Sequence, residues 1–200
     1  MELLSPESLT SLSISATEPD WSREKCVRWW DPARQLLKSI RGYQWWQKRG
    51  GILGRLGQNY YVLQHRFWSV VTATDIPLNC QIEGGLLMVH PTGIVIHPGA
   101  KIGPNCLILQ QVTIVDGVKI GGHVDIGAGA KIIRPVTIGD HAKIGANAVV
   151  LSDVPAGATA VGIPAKIVPA TPIRVNIQAL EEDQVLQCSP VTMPSESQVA

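Results

Sequence analysis

From Ile96 onward a branched apolar residue returns at every sixth position: Ile96, Ile102, Ile108, Ile114, Ile120, Ile126, Ile132, Ile138, Ile144 and Val150. Four places after each stands a small or β-branched residue, the series Ala100, Cys106, Val112, Val118, Val124, Ala130, Val136, Ala142, Ala148 and Val154. Glycine often follows the branched residue directly, at Gly103, Gly121, Gly127, Gly139 and Gly145. Neither the helical nor the strand period alone generates such a pattern. A unit this short cannot bury its apolar side by itself, so it must stack on copies of itself. The pattern predicts a mainly β fold, a parallel β-helix with three short faces per coil. Each hexapeptide supplies one flat face and one corner; Ile points inward, the small residue tucks in near the corner, and Gly eases the backbone there. Three hexapeptides close a coil of eighteen residues, and coils stack at about 4.8 Å. An earlier run, Ile76, Ile82, Met88 and Ile94, keeps the period in a different phase, and the register slips by two residues between Met88 and Ile96. Residues 76–168 then give about five coils.

Upstream the pattern is helical. Asp31-Pro32 makes an N-cap with proline in the first turn, leading into ARQLLKSIRGYQWWQKR. Gly50-Gly51 and Gly57 are read as breaks before QNYYVLQHRFWSVV resumes. The expected organisation is a disordered tail over 1–20, a short helical subdomain over 21–75, the β-helix over 76–168 and a poorly ordered Ser-, Thr-, Pro- and Gln-rich tail over 169–200.

Composition explains the division. All six Trp, all three Tyr and the one Phe lie between Trp21 and Trp68. The repeat region therefore has no ring, which suits a prism too narrow to hold one. A formal charge of +1 gives no reason to expect a nucleic-acid partner. The helical segment is nonetheless basic, with ten Lys and Arg in 21–75 against Glu24, Asp31 and Asp75. Its Trp and Arg residues read as a small core with contacts between subunits. Contact with an anionic membrane surface is the second reading. No apolar run is long enough to span a bilayer, and the N-terminus lacks the form of a signal peptide. Cys26, Cys80, Cys106 and Cys188 have no zinc or disulfide spacing, and a reduced cytoplasmic compartment is expected.

The segments HPTGIVIHPGAKIG and VDIGAGAKIIRPVTIGDHAKIGANAVVLSDVPAGATAVGIPAKIV resemble the hexapeptide-repeat acyltransferases, and among them the serine acetyltransferases. The resemblance covers about residues 25–168 and implies a left-handed coil, against the usual right-handed crossover. It implies that His90, inside the phase slip, is the catalytic base, and that Asp75, fifteen residues earlier, is its carboxylate partner. Asp31 matches the residue that contacts the acceptor. Ala128 and Ala146 match corner amides that meet CoA, and Lys166 matches a basic residue near the nucleotide phosphates. The implied reaction is direct acetyl transfer from acetyl-CoA to the hydroxyl of a small acceptor, serine by family default, as in cysteine biosynthesis. No nucleophilic Ser or Cys motif points to an acyl-enzyme. A homotrimer is implied, with sites between prisms, and no metal is expected.

The departures are specific. Val89 stands where the family has a second Asp before the histidine, and VTIVDGVKIGG runs in strict phase where the family inserts its acceptor loop. The sequence given ends in Ala200 rather than in the terminal Ile that docks on cysteine synthase, which speaks against that partner. A sugar, a polysaccharide or another small hydroxyl compound is therefore the alternative acceptor. His123 and His141, eighteen apart, are expected to stack at one corner of adjacent coils, while His65 and His97 read as an ordinary helix residue and a corner residue.

Overall fold

The computed structural model describes residues 14–26 and 28–168. Helix α1 spans Pro32–Arg49; Asp31 caps it by accepting from the Arg34 N–H at 3.4 Å, and Gly50 ends it at φ 63°. Helix α2 spans Gly51–Thr72 and stops at left-handed Ala73. Gly57 does not break it. A Cβ there would fall on the indole of Trp46, and one on Gly42 would fall on the Tyr61 ring, so these two glycines seat rings between the helices. The amphipathic α1 buries Ala33, Leu36, Leu37 and Ile40. Of α2, only Gly54, Trp68 and Thr72 are buried.

From Asp75 the chain winds as a left-handed β-helix of two- and three-residue strands in three sheets. The first sheet holds β1 (Gln81–Ile82), β4 (Lys101–Ile102), β7 (Lys119–Ile120) and β10 (Thr137–Ile138). The second holds β2 (Leu87–Met88), β5 (Leu107–Ile108), β8 (Asp125–Ile126), β11 (Lys143–Ile144), β13 (Thr159–Val161) and an antiparallel β14 (Lys166–Val168). The third holds β3 (Val95–Ile96), β6 (Thr113–Ile114), β9 (Lys131–Ile132) and β12 (Val149–Val150). The second residue of each two-residue strand, Ile or Val except for Met88, faces inward and is buried, as are the small residues beside the corners.

The coil length varies at its two ends. Gln81 faces Lys101 and Leu87 faces Leu107, a step of twenty. From Val95, which faces Thr113, the step is eighteen. Lys143 faces Thr159, a step of sixteen. The phase slip is thus a longer first coil, and the last coil is shortened.

The glycines after the branched residues serve a purpose other than easing φ. The left-handed residues come two places later, at Asn105, His123, His141, Gly129 and Asn147. A Cβ on Gly103 would lie 2.6 Å from the carbonyl carbon of Gly121 on the next coil, and one on Gly127 would lie 2.6 Å from the Ala146 nitrogen. Glycine at those positions lets coils stack at strand spacing.

The expected tail over 1–20 is held at its described end. Asn105, buried at a corner, donates through Nδ2 to the carbonyls of Ser15 and Glu18, both at 2.7 Å, and its Oδ1 accepts from the Asp20 N–H at 2.7 Å. Glu24 follows, accepting from the Gly85 and Leu86 N–H groups and pairing with Arg41 at 2.9 Å. Residues 1–13 and the expected tail over 169–200, including Cys188, lie outside the described residues.

Candidate functional site

The first coil is long because of two particular residues. Strand β2 ends at Met88 and β3 begins at Val95, while the coil below crosses the same corner with only 109–112. The Gln111 N–H bonds the Thr92 carbonyl, the Gly129 N–H bonds that of Gln110, and the Asn147 N–H bonds that of Ala128. This ladder aligns Thr92, Gln110, Ala128 and Ala146. Pro91, whose carbonyl accepts from the Ile94 N–H as that of Gly127 does from Ala130, then matches Leu109, which leaves Val89 and His90 without counterparts below. His90 is exposed on this insertion. Sequence phase located the slip; the ladder assigns it to these two residues.

Asp75 reaches the same corner from the other side. It pairs with Val95 as an isolated parallel bridge, its N–H bonding the Ile94 carbonyl and its own carbonyl accepting from the Ile96 N–H, both at 2.9 Å. The Gly93 N–H bonds the Ala73 carbonyl at 2.8 Å. The backbones of the two residues are thereby tied within a few positions of each other, and both side chains are exposed. The ion pairs among the described residues are Asp31 with Arg34, Glu24 with Arg41 and His97 with Asp116; Asp75 and His90 are not joined. The Asp75 carboxylate is close enough to act on the buried Cys80 thiol. Burial first, and that carboxylate second, push Cys80 up to about 12. Burial likewise pushes Cys106 up to about 11. Neither is a thiolate near neutrality, so neither has the form of an activated nucleophile.

Asp31 is engaged at the start of α1, where its carboxylate holds the Arg34 guanidinium at 2.7 Å. With Pro32, Ala33 and Arg34 it lines a cleft of about 550 Å³, closed on the other side by Leu87, Met88, Val89 and Pro91. The residues that flank His90 thus share a cleft with the cap of α1. Sequence reading named Asp31 but missed Arg34, whose three-residue offset from Asp31 is a helical ion-pair spacing.

Ala128 and Ala146 lie two and three coils below the insertion, and neither N–H donates to the backbone of a described residue. Lys166 is exposed on β14, at the far end of the sheet that leads into this corner. From β2 to β14 there are five strand steps of about 4.8 Å, on the order of 24 Å. The structure therefore brings His90, Asp75 and Asp31 to one end of an edge, Ala128 and Ala146 to its middle, and Lys166 to its other end.

The remaining histidines lie elsewhere. His123 and His141 stack as the eighteen-residue spacing anticipates, with Nδ1 atoms 2.9 Å apart at a different corner. His97 faces Asp116 at 3.3 Å at the third corner, and His65 bonds the Ile76 carbonyl at 2.8 Å, tying α2 to the first coil. Between β6 and β7 the chain crosses in four residues, 115–118, so no loop leaves the prism there.

Comparison with known proteins agrees with the repeat. The bacterial transferase hexapeptide family (six repeats) matches residues 117–152. No curated protein sequence matches the chain significantly. Among solved structures, soybean serine acetyltransferase complexed with serine is 34% identical with a TM-score of 0.57, over 68% of this chain and 57% of that one. A serine acetyltransferase in complex with CoA is 36% identical with a TM-score of 0.59, over 70% and 58%. The serine O-acetyltransferase of Brucella melitensis is 32% identical with a TM-score of 0.61, over 71% and 57%. The chain thus covers a little over half of each of these relatives. With its coil, its repeat and these similarities, the chain is a hexapeptide-repeat β-helix protein similar to the serine acetyltransferases.

Proposed function

We propose that this protein is an acetyl-CoA-dependent O-acetyltransferase with His90 as general base. One observation carries the reading: His90 protrudes on a two-residue insertion above a corner whose Ala128 and Ala146 amides have no backbone partner among the described residues. Acetyl-CoA would lie along that edge, its amide-rich arm meeting those N–H groups and its phosphates near Lys166. His90 takes the proton from the acceptor hydroxyl as that oxygen bonds to the thioester carbonyl carbon. The tetrahedral intermediate then loses the C–S bond, and the CoA sulfur receives the proton held by the imidazolium. Asp75 fixes the tautomer and stabilises the charged ring, which requires its carboxylate to close on His90 when substrates bind. Asp31 would contact the acceptor from across the cleft.

Serine is the acceptor that the similarity supports, with a place in cysteine biosynthesis, a homotrimer and a cytoplasmic setting following from the same reading. A sugar or another small hydroxyl compound is favoured by a different observation, the direct four-residue crossing at 115–118 and Val89 beside the base. Acetyl-CoA turnover against serine, other hydroxy amino acids and sugars tests both. His90→Ala and His90→Gln are expected to lose at least about 100-fold in kcat while the protein keeps its melting temperature. Wild-type rates retained by His90→Gln would overturn the assignment of the base, and turnover with serine alone would eliminate the sugar.

A further inference from the structure

Between α1, α2 and the chain that leads into α1 lies a cleft of about 490 Å³ walled by aromatic rings. Trp68 is its buried floor, and its indole N–H donates to the Gln64 carboxamide oxygen at 3.2 Å. Trp30 meets Trp68 edge to face with ring centroids 5.5 Å apart, and Trp29 meets Trp30 in the same way, both at 63°. Tyr60 and Phe67 complete the wall from α2. Rings packed edge to face leave π faces without a stacked neighbour. Trp29, at the rim, is 83% exposed, so its faces are open to a ligand.

Polar groups stand among the rings and select the guest. Gln35 and Lys38 reach the cleft from α1 and Gln64 from α2. Gln64 is engaged, since its Nε2 donates to the Tyr60 hydroxyl at 3.1 Å while its oxygen holds Trp68. The Gln35 carboxamide oxygen, the Lys38 ammonium and the Tyr60 hydroxyl proton have no partner among the described residues. The lining holds Lys38 and no carboxylate, which opposes the cationic guest that rings alone would attract. Beneath an acyl chain the amide and the ammonium would lose water without replacement. One cation is too few to follow a phosphate backbone. A pyranose ring satisfies both kinds of group. Its C–H face lies on an indole, and the hydroxyls at its edge accept from Lys38 and donate to Gln35. The volume is that of a small-molecule site.

We propose that this cleft binds the sugar rings of a saccharide chain. Trp30 is followed directly by Asp31, which lines the cleft that Val89 and Pro91 close beside His90. A chain seated on the rings is thereby led towards the candidate base, and that continuation rests on the reading of a sugar as acetyl acceptor. Affinity electrophoresis of the full chain through gels holding dextran, galactomannan, xylan, alginate or hyaluronan tests the cleft without any turnover. At least one of these is expected to retard the wild type, and Trp29→Ala to weaken that retardation at least about 10-fold in apparent Kd. Trp29→Phe, which keeps a ring, should recover part of it. Trp45→Ala, which removes another exposed tryptophan outside the cleft, should bind as the wild type does. No retardation in any gel, or equal retardation of Trp29→Ala, overturns the proposal. Should Trp29→Ala fail to fold by circular dichroism, Lys38→Ala, at an exposed position, decides in its place by the same loss. Retardation without acetyl transfer to the retarding polysaccharide keeps the cleft and removes the sugar as acceptor. Transfer to a polysaccharide that retards neither protein keeps that acceptor and removes the cleft.

Discussion

His123 and His141 hold the same corner place on consecutive coils, at φ 52° and 59°, where Gly85, Asn105 and Gly157 stand on the others. Their Nδ1 atoms at 2.9 Å share one proton, so at least one ring must keep a lone pair there. Partial burial, and then the neighbouring His141, hold His123 below its ordinary value, with Asp125 opposing. A depressed histidine favours the neutral folded form. The unfolded chain therefore binds the proton more readily, and the stability present above the unfolded value of 6.5 is lost as the pH falls from there towards the folded value. Urea midpoints at neutral pH and at about pH 5.5 should show wild type weakening on acidification. His123→Asn, which tolerates the left-handed backbone, should flatten that slope, and an unchanged slope would show that this pair does not govern it. The stacking of these two rings was legible in their eighteen-residue spacing. The left-handed backbone beneath them was not, because the repeat marks its glycines at close approaches two places earlier, as at Gly121 and Gly139.

At the scale of elements, the first coil is held by contacts that do not follow the repeat. Glu24 binds the corner N–H groups of Gly85 and Leu86, and Arg41 from α1 bonds the carbonyls of Ile82 and Glu83 while pairing with Glu24. One coil lower, Asn105 holds the segment Ser15–Asp20 through three bonds. Asn105→Gly keeps the left-handed backbone and removes only those bonds, each worth about 0.5–1.5 kcal/mol net, so a loss of about 2–4 kcal/mol is expected. Limited proteolysis should cut within 14–24 faster in this variant, with the coil beyond Asp75 still protected. Equal cutting in both proteins would mean the segment is held by something else. None of this was legible beforehand, since Pro-Asn-Cys at 104–106 reads as ordinary repeat and polar partners eighty-five or ninety residues away leave no periodic trace. Gly57 misled for the opposite reason: its low helix propensity is overridden by the Trp46 indole it makes room for.

At the scale of the whole molecule, the coil and the candidate site answer to different requirements. The coil needs an inward branched residue, a small residue near each corner and a four-residue crossing between strands, and these are what the period displayed. The site lies where that rule is exceeded, and deletion can separate the two. Removing Val89 and His90 leaves Pro91, Thr92, Gly93 and Ile94 between β2 and β3. That is a regular corner, with Gly93 already at the left-handed third place (φ 73°, matching Gln111 at 58°) and Ile94 at the buried fourth place of Val112. The bonds from Gly93 to Ala73, from Asp75 to Ile94 and from Gln111 to Thr92 all lie on the retained side. The first coil would then step by eighteen like those below it. A protein without these two residues should therefore fold with the same far-ultraviolet spectrum and melt within about 2–4 °C of wild type, the shift set by about 1 kcal/mol in a domain of this size, while acetyl transfer falls to the level of His90→Ala. Collapse of the fold would instead mean that the bulge is a structural part of the first coil, and retained turnover would mean that the base lies elsewhere. A stable, inactive, strictly periodic coil would show that the chain departs from its repeat at this corner for chemistry alone.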